Sequence, residues 1–166
     1  MFDTAVESTY VWLGLTLVSA GIFGLALDLP TRPPPDTAPV ARTVDSVASS
    51  PHEATANHPI DAEQIRLGAH RIGLRGPGGS AHAAFAYGPV VPALGGDGGD
   101  GPSGSDRERL RSVLHGVAPE RAFASPASFE RALNRSRTTD PVWQPAPERL
   151  TVRRVAWEGV NATLVG

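Results

Sequence analysis

The 166-residue chain contains no cysteine and no lysine. Without thiols it has no disulfide framework, no thiolate metal site and no cysteine nucleophile. All fifteen of its basic residues are arginine, which matches lysine in sign but differs from it in hydrogen-bond geometry. The net charge of −2 lacks the basic excess that bulk nucleic-acid binding requires, so no nucleic-acid partner is expected. Catalytic signatures are missing too. There is no G-x-S-x-G elbow and no H-E-x-x-H, and none of His52, His58, His70, His82 and His115 pairs with another at i,i+4 spacing. No catalytic residue, cofactor or metal-ligand set is expected, and the chain does not read as an enzyme.

What it does have is a stretch free of charge from Tyr10 to Leu27. As a helix this covers roughly 27 Å, close to the thickness of a bilayer's hydrocarbon core. Thr4 and Glu7 form a capping-box pattern ahead of it, Tyr10 and Trp12 sit where interfacial aromatics belong, and Pro30 ends it. The pattern predicts a transmembrane helix over 5–28, with the lipid bilayer as its first partner. The stretch before it carries Asp3 and Glu7 where a signal peptide would carry positive charge. Gly14, Leu17, Ala20, Gly21 and Gly24 fall on one arc of that helix, a small-residue face suited to packing against other membrane subunits.

Residues 29–40 hold Pro30, Pro33, Pro34, Pro35 and Pro39 and read as an extended polyproline tether. The remainder, 41–166, is long enough for one small domain. Val44, Val47 and Ala48 recur at helical spacing. Ile65 and Leu67, then Ile72 and Leu74, alternate with polar residues; the Gly76–Ser80 turn leads to a returning strand over Ala81–Val91, with Ala83, Phe85 and Tyr87 on one face. Leu110, Val113, Leu114 and Val117 give one apolar helix face. Ser125-Pro126 starts another helix whose stripe is Phe129, Ala132 and Leu133. Leu150, Val152, Val155 and Trp157, then Val160, Ala162 and Leu164, flank a Glu158-Gly159 turn. The fold class expected is α+β, with one N-terminal transmembrane helix, a Pro-rich tether, and a small antiparallel sheet carrying two or three helices.

A flexible Gly/Asp loop is expected at 95–105. Its residues 96–101 match the dinucleotide pattern G-x-G-x-x-G, but without the strand–turn–helix unit in which that pattern works. Residues 95–100 match one calcium β-roll repeat, a site built only between stacked copies. Seven arginines (Arg107, Arg109, Arg111, Arg121, Arg131, Arg135 and Arg137) face four carboxylates across the helical segment, which reads as a solvated helix surface laced with ion pairs. Asn134 and Asn161 each head a glycosylation sequon and slightly favour an outside location for the domain, whereas Arg32 and Arg42 after the charge-free stretch point to the inside, so both topologies stay open.

The LP-T-x-PPP tether, RTVDSVA, IRLGAHRIGLR, AHAAFAYGPVVP and the closing RLTVRRVAWEGVNATLVG together resemble an uncharacterised family of haloarchaeal single-pass membrane proteins. The resemblance covers nearly the full chain and implies a type IV pilus-like assembly setting, with no catalytic residues. The function expected is that of a non-enzymatic, membrane-anchored accessory or pilin-like subunit of a surface or secretion assembly at the cell membrane, with other membrane or pilus-like subunits as partners. The competing expectation is a membrane-tethered ligand- or cation-binding module.

Overall fold

The computed structural model describes residues 13, 15, 16, 18, 32–94 and 104–166. The chain divides into two compact units, Met1–Pro33 and Pro34–Gly166. In the first, the described residues Leu13, Leu15, Thr16 and Val18 are helical and exposed. The expected transmembrane helix over 5–28 is corrected: among the described residues no helix is long and apolar enough to cross a membrane. An uncharged run states what hydropathy permits, whereas a span needs about 20 consecutive helical residues, and the described positions there are isolated ones. Gly14, Leu17, Ala20, Gly21 and Gly24, the expected packing face, lie outside the described residues, as does the Gly/Asp loop from 95 to 103.

The second unit is α+β, with two four-stranded sheets and four helices rather than one antiparallel sheet. Its elements are α1 (Ala38–Ala48), β1 (Ala54–Pro59), β2 (Gln64–Leu67), β3 (Arg71–Gly76), β4 (Gly79–Ala84), β5 (Val91–Pro92), α2 (Gly104–Leu114), α3 (Pro119–Ala122), α4 (Pro126–Thr138), β6 (Gln144–Pro145), β7 (Arg149–Trp157) and β8 (Val160–Val165). The first sheet runs β1-β7-β8-β5 and the second β4-β3-β2-β6. Helix α1 starts inside the Pro-rich stretch because Pro39 occupies its first turn, where a missing N–H costs nothing.

The first sheet is central. Successive residues of a strand point to opposite faces, so β7 sends Leu150 and Val152 to one side and Val155 to the other. On the first side they meet Val40, Val44 and Val47 of α1 and the inner face of the second sheet, Ile65, Leu67, Ile72 and Leu74. On the second side Val155, Ala162 and Leu164 meet Leu110 and Val113 of α2 and Phe129, Ala132 and Leu133 of α4. The β7–β8 hairpin turns at Glu158 and Gly159, both at positive φ (45° and 86°), the geometry that matches strand twist in a two-residue loop. Helix α4 begins as its sequence predicts. Ser125 Oγ accepts from the Ser128 amide and Ser128 Oγ from the Ser125 amide, each at 3.2 Å, with Pro126 in the first turn.

Two neighbouring arginines of β7 finish two helices. Arg153 Nη1 donates to the carbonyls of Val113 (2.5 Å) and Val117 (3.3 Å) at the end of α2. Arg154 Nη1 donates across the other face to Ala48 O (2.7 Å), the last residue of α1. Arg154 supplies a donor to a terminal carbonyl of α1, Arg153 adds one to Val113 O beside the Gly116 amide, and each places a cation at the negative end of a helix dipole.

The returning strand expected over 81–91 is also corrected. It ends at Ala84, and Val91 joins the other sheet, parallel to β8. Its partner β3 begins at Arg71, opposite Ala84, so no strand remains for the residues beyond, and the amides of Ala86 (2.9 Å) and Tyr87 (3.0 Å) donate instead to Asp45 Oδ1 of α1. Phe85 is consequently buried while Tyr87 is 59% exposed. The peptide bond between Gly88 and Pro89 in this loop is cis.

Helices α2 and α4 are joined by an acid. Asp106 is buried and pairs with Arg135 at 2.9 Å and Arg109 at 3.6 Å. Both arginines are about half exposed, with side-chain exposures of 50% and 51%, so solvent screens the pairing. Asp106→Ala is expected to lower unfolding free energy by about 1–2 kcal/mol in urea titration. A cycle with Arg135→Ala should show coupling; additive losses would mean that the pair contributes nothing.

Candidate interaction surface

The outer face of the second sheet carries the densest cluster of functional side chains among the described residues. Its alternation is strict: Ile65, Leu67, Ile72 and Leu74 turn inward, which leaves Arg66, Arg71, Gly73 and Arg75 facing out, with His82 on β4. The register aligns Arg66, Gly73 and His82 as one row across β2, β3 and β4, and Gln64, Arg75 and Ser80 as the next. Trp143, just ahead of β6, lies over this surface. Its ring carries the Arg75 guanidinium at 4.2 Å and meets the His82 ring edge-on at 5.9 Å, contacts worth about 0.5–1 kcal/mol each at an exposed site.

Gly73 makes the arrangement fit. A methyl there would stand 2.8 Å from His82 Cδ2 and 3.0 Å from Trp143 Cη2, so glycine is what lets both rings settle onto the strand. Arg66 Nε donates to Pro141 O at 2.9 Å and Arg75 Nη1 to Gln64 Oε1 at 3.2 Å. Among the described residues, none of Arg66, Arg71 and Arg75 is in an ion pair; those pairs all belong to Arg109, Arg111 and Arg135. Between Arg66, Arg71, His82 and Pro141 the face dips into a recess of about 50 Å³. The surface therefore combines three positive charges not taken up by carboxylates with one large aromatic ring, the pairing enriched at protein interfaces.

The residues singled out in the sequence are otherwise dispersed. His70 lies in the turn between β2 and β3, whereas His82 sits opposite Gly73, so the two do not face each other. His58 Nδ1 lies 3.0 Å from Thr43 Oγ1. The Thr43 hydroxyl also lies 3.1 Å from Pro39 O, to which it donates, and its contact with His58 links α1 to β1. Among the described residues no group of three His, Cys, Asp or Glu side chains could hold a metal ion. Of Asp97, Asp100 and Asp106, the acids expected to bind a cation loosely, the first two lie outside the described residues and Asp106 is paired with Arg135 and Arg109. Asn134 and Asn161 are exposed, but their sequon hydroxyls, Ser136 and Thr163, are buried at 3% and 6% exposure. Ser136 Oγ donates to Pro92 O of β5 at 2.5 Å.

Beside β1 and β7 an open groove of about 400 Å³ is lined by Thr55, Asn57, His115, Thr151 and Arg153. Its polar groups are largely engaged: Thr151 Oγ1 donates to Asn57 Oδ1 at 2.9 Å, and Arg153 holds the end of α2. Sequence reasoning missed Trp143 as a surface residue, because the Pro-Val-Trp-Gln-Pro segment that holds it has no periodicity, and missed the arginine face because its members are spread over two strands.

No curated protein and no solved structure matches the chain. One family model does, over residues 3–155. On that match across most of its length, the chain belongs to DUF7283, a family of unknown function.

Proposed function

We propose that this protein is a non-enzymatic accessory subunit of a surface assembly, and that it works by docking an acidic segment of a partner protein on the outer face of its second sheet. The observation that carries this reading is the cluster of Arg66, Arg71 and Arg75, without carboxylate partners among the described residues, beside Trp143. Guanidinium groups fixed on a rigid sheet recognise carboxylates through paired donors at little cost in side-chain entropy. The charge-free sequence from Tyr10 to Leu27 supports a position at the cell membrane, and the sequons at Asn134 and Asn161 support an outside location. The resemblance to haloarchaeal membrane proteins encoded beside type IV pilus-like components supports a pilus-like class of assembly.

The test uses the full chain and a fluorescent octapeptide of alternating Asp and Glu. Anisotropy should report saturable binding that weakens as salt rises. Arg71→Gln combined with Arg75→Gln should weaken it about tenfold or more, whereas Arg107→Gln with Arg121→Gln on the helices should leave it unchanged. Equal loss from both pairs would mean that only net charge is being read, and would sink the docking face.

A further inference from the structure

A second groove of about 360 Å³ lies elsewhere in the domain, at the free edge of β8. Its origin is topological. Strand β8 runs from Val160 to Val165, but β5 pairs only with its last two residues, Leu164 and Val165. The preceding part, Asn161 to Thr163, is left without a strand on that side. The loop ahead of β5 is held to α1 by the Asp45 carboxylate, which accepts the amides of Ala86 and Tyr87. Tyr87 and the Gly88-Pro89 peptide therefore form one wall, and the end of α4 with β8 forms the rest.

Two guanidinium groups line this space, Arg137 from the last turn of α4 and Arg154 from β7, together with Asn161 and Thr163. Among the described residues no carboxylate lines it. Arg154 uses Nη1 to hold Ala48 O, and Arg137 uses Nη1 to reach Asn134 Oδ1 at 3.3 Å, so each has donors left over from its five. The Nε–H of Arg137 is buried and has no acceptor among the described residues. That atom is closed off from solvent, so a ligand in the groove would meet the other donors of this guanidinium. Burial also pushes the Arg137 pKa below its ordinary value, with Glu130 opposing. An arginine remains protonated even so, and an anion beside it would offset the desolvation.

We infer that the β8-edge groove binds a small ligand through an oxyanion, carboxylate or phosphate, held by Arg137 and Arg154 with Asn161 and Thr163 completing the contacts. The guanidinium forks supply charge and planar geometry, and the amide and hydroxyl supply neutral donors beside them. A volume of about 360 Å³ suits a compact metabolite-sized ligand rather than a polymer. This site is separate from the arginine face of the second sheet and shares no residue with it.

Titration calorimetry of the full chain decides the matter, with inorganic phosphate and succinate as probes and sodium chloride at matched ionic strength as control. Saturable heat with at least one probe, beyond that of chloride, is the expected result. Phosphate alone would assign a phosphoryl group, and succinate a carboxylate. Arg137→Gln should weaken binding about ten- to a hundredfold, and Arg71→Gln on the sheet face should not change it. If Arg137→Gln does not fold, Asn161→Asp, which adds a carboxylate at an exposed strand position, should weaken the same probe. Heat no greater than that of chloride from both probes, or binding undiminished in a folded Arg137→Gln or Asn161→Asp protein, overturns the assignment.

Discussion

Phe129→Ala is expected to reduce the unfolding free energy of the domain by about 3–5 kcal/mol, the largest loss for any single substitution considered. The ring is fully buried, and it is packed between the Phe123 ring, at a centroid distance of 5.2 Å, and the Trp157 ring, at 6.1 Å. Truncation would remove both ring contacts and leave a void under α4 that the helix cannot easily close, because Ser136 further along it is tied to Pro92 O. A drop in melting temperature on the order of 10–15 °C should accompany the loss. A shift of only a few degrees would mean that α4 collapses onto the sheet and that its anchoring is weaker than its contacts indicate.

Leu74→Ala, on the opposite side of the central sheet, should cost about 2–5 kcal/mol. Leu74 is 1% exposed and belongs to the cluster of α1, the second sheet, Leu150 and Val152. The two substitutions probe different cores, yet both should shift one and the same unfolding transition. The reason is β7, which supplies Leu150 and Val152 to one core and Val155 to the other and cannot lose either side alone. Urea unfolding followed by both tryptophan fluorescence and far-ultraviolet circular dichroism should give coincident midpoints in each variant. Separate midpoints would show that the cores unfold independently and that the strand does not couple them.

Where apolar spacing was regular and the turn chemistry local, the sequence was readable. The hairpin at Glu158-Gly159, the capped start of α4 at Ser125-Pro126, and the stripes of α1 and α4 all rest on signals carried within about fifteen residues. The parts that were not readable depend on partners distant in sequence. Strand β1, Ala54-Thr-Ala-Asn-His-Pro59, carries no large apolar residue, and it is a strand because β7 pairs with it along its whole length. The end of β4 is set by where its partner β3 begins, at Arg71 opposite Ala84, and the next amides go to a carboxylate 41 residues before Ala86. The arginine face needed the register of β2 on β3 before Arg66, Arg71 and Arg75 could be placed together. The β8-edge groove needed the shortness of β5. The charge-free N-terminal stretch was the strongest pattern of all, yet hydropathy alone did not establish a span.

The two adjacent arginines of β7 have a consequence for how the strand may change. Each reaches the end of a different helix, and they do so on opposite faces only because their positions differ by one. A slip of a single residue would exchange the two faces and deprive both helix ends of their donor at once. Arg153-Arg154 thus acts as an alignment key for the hairpin, and insertions or deletions in this strand should be tolerated after Trp157, in the turn, far better than between Arg149 and Arg153.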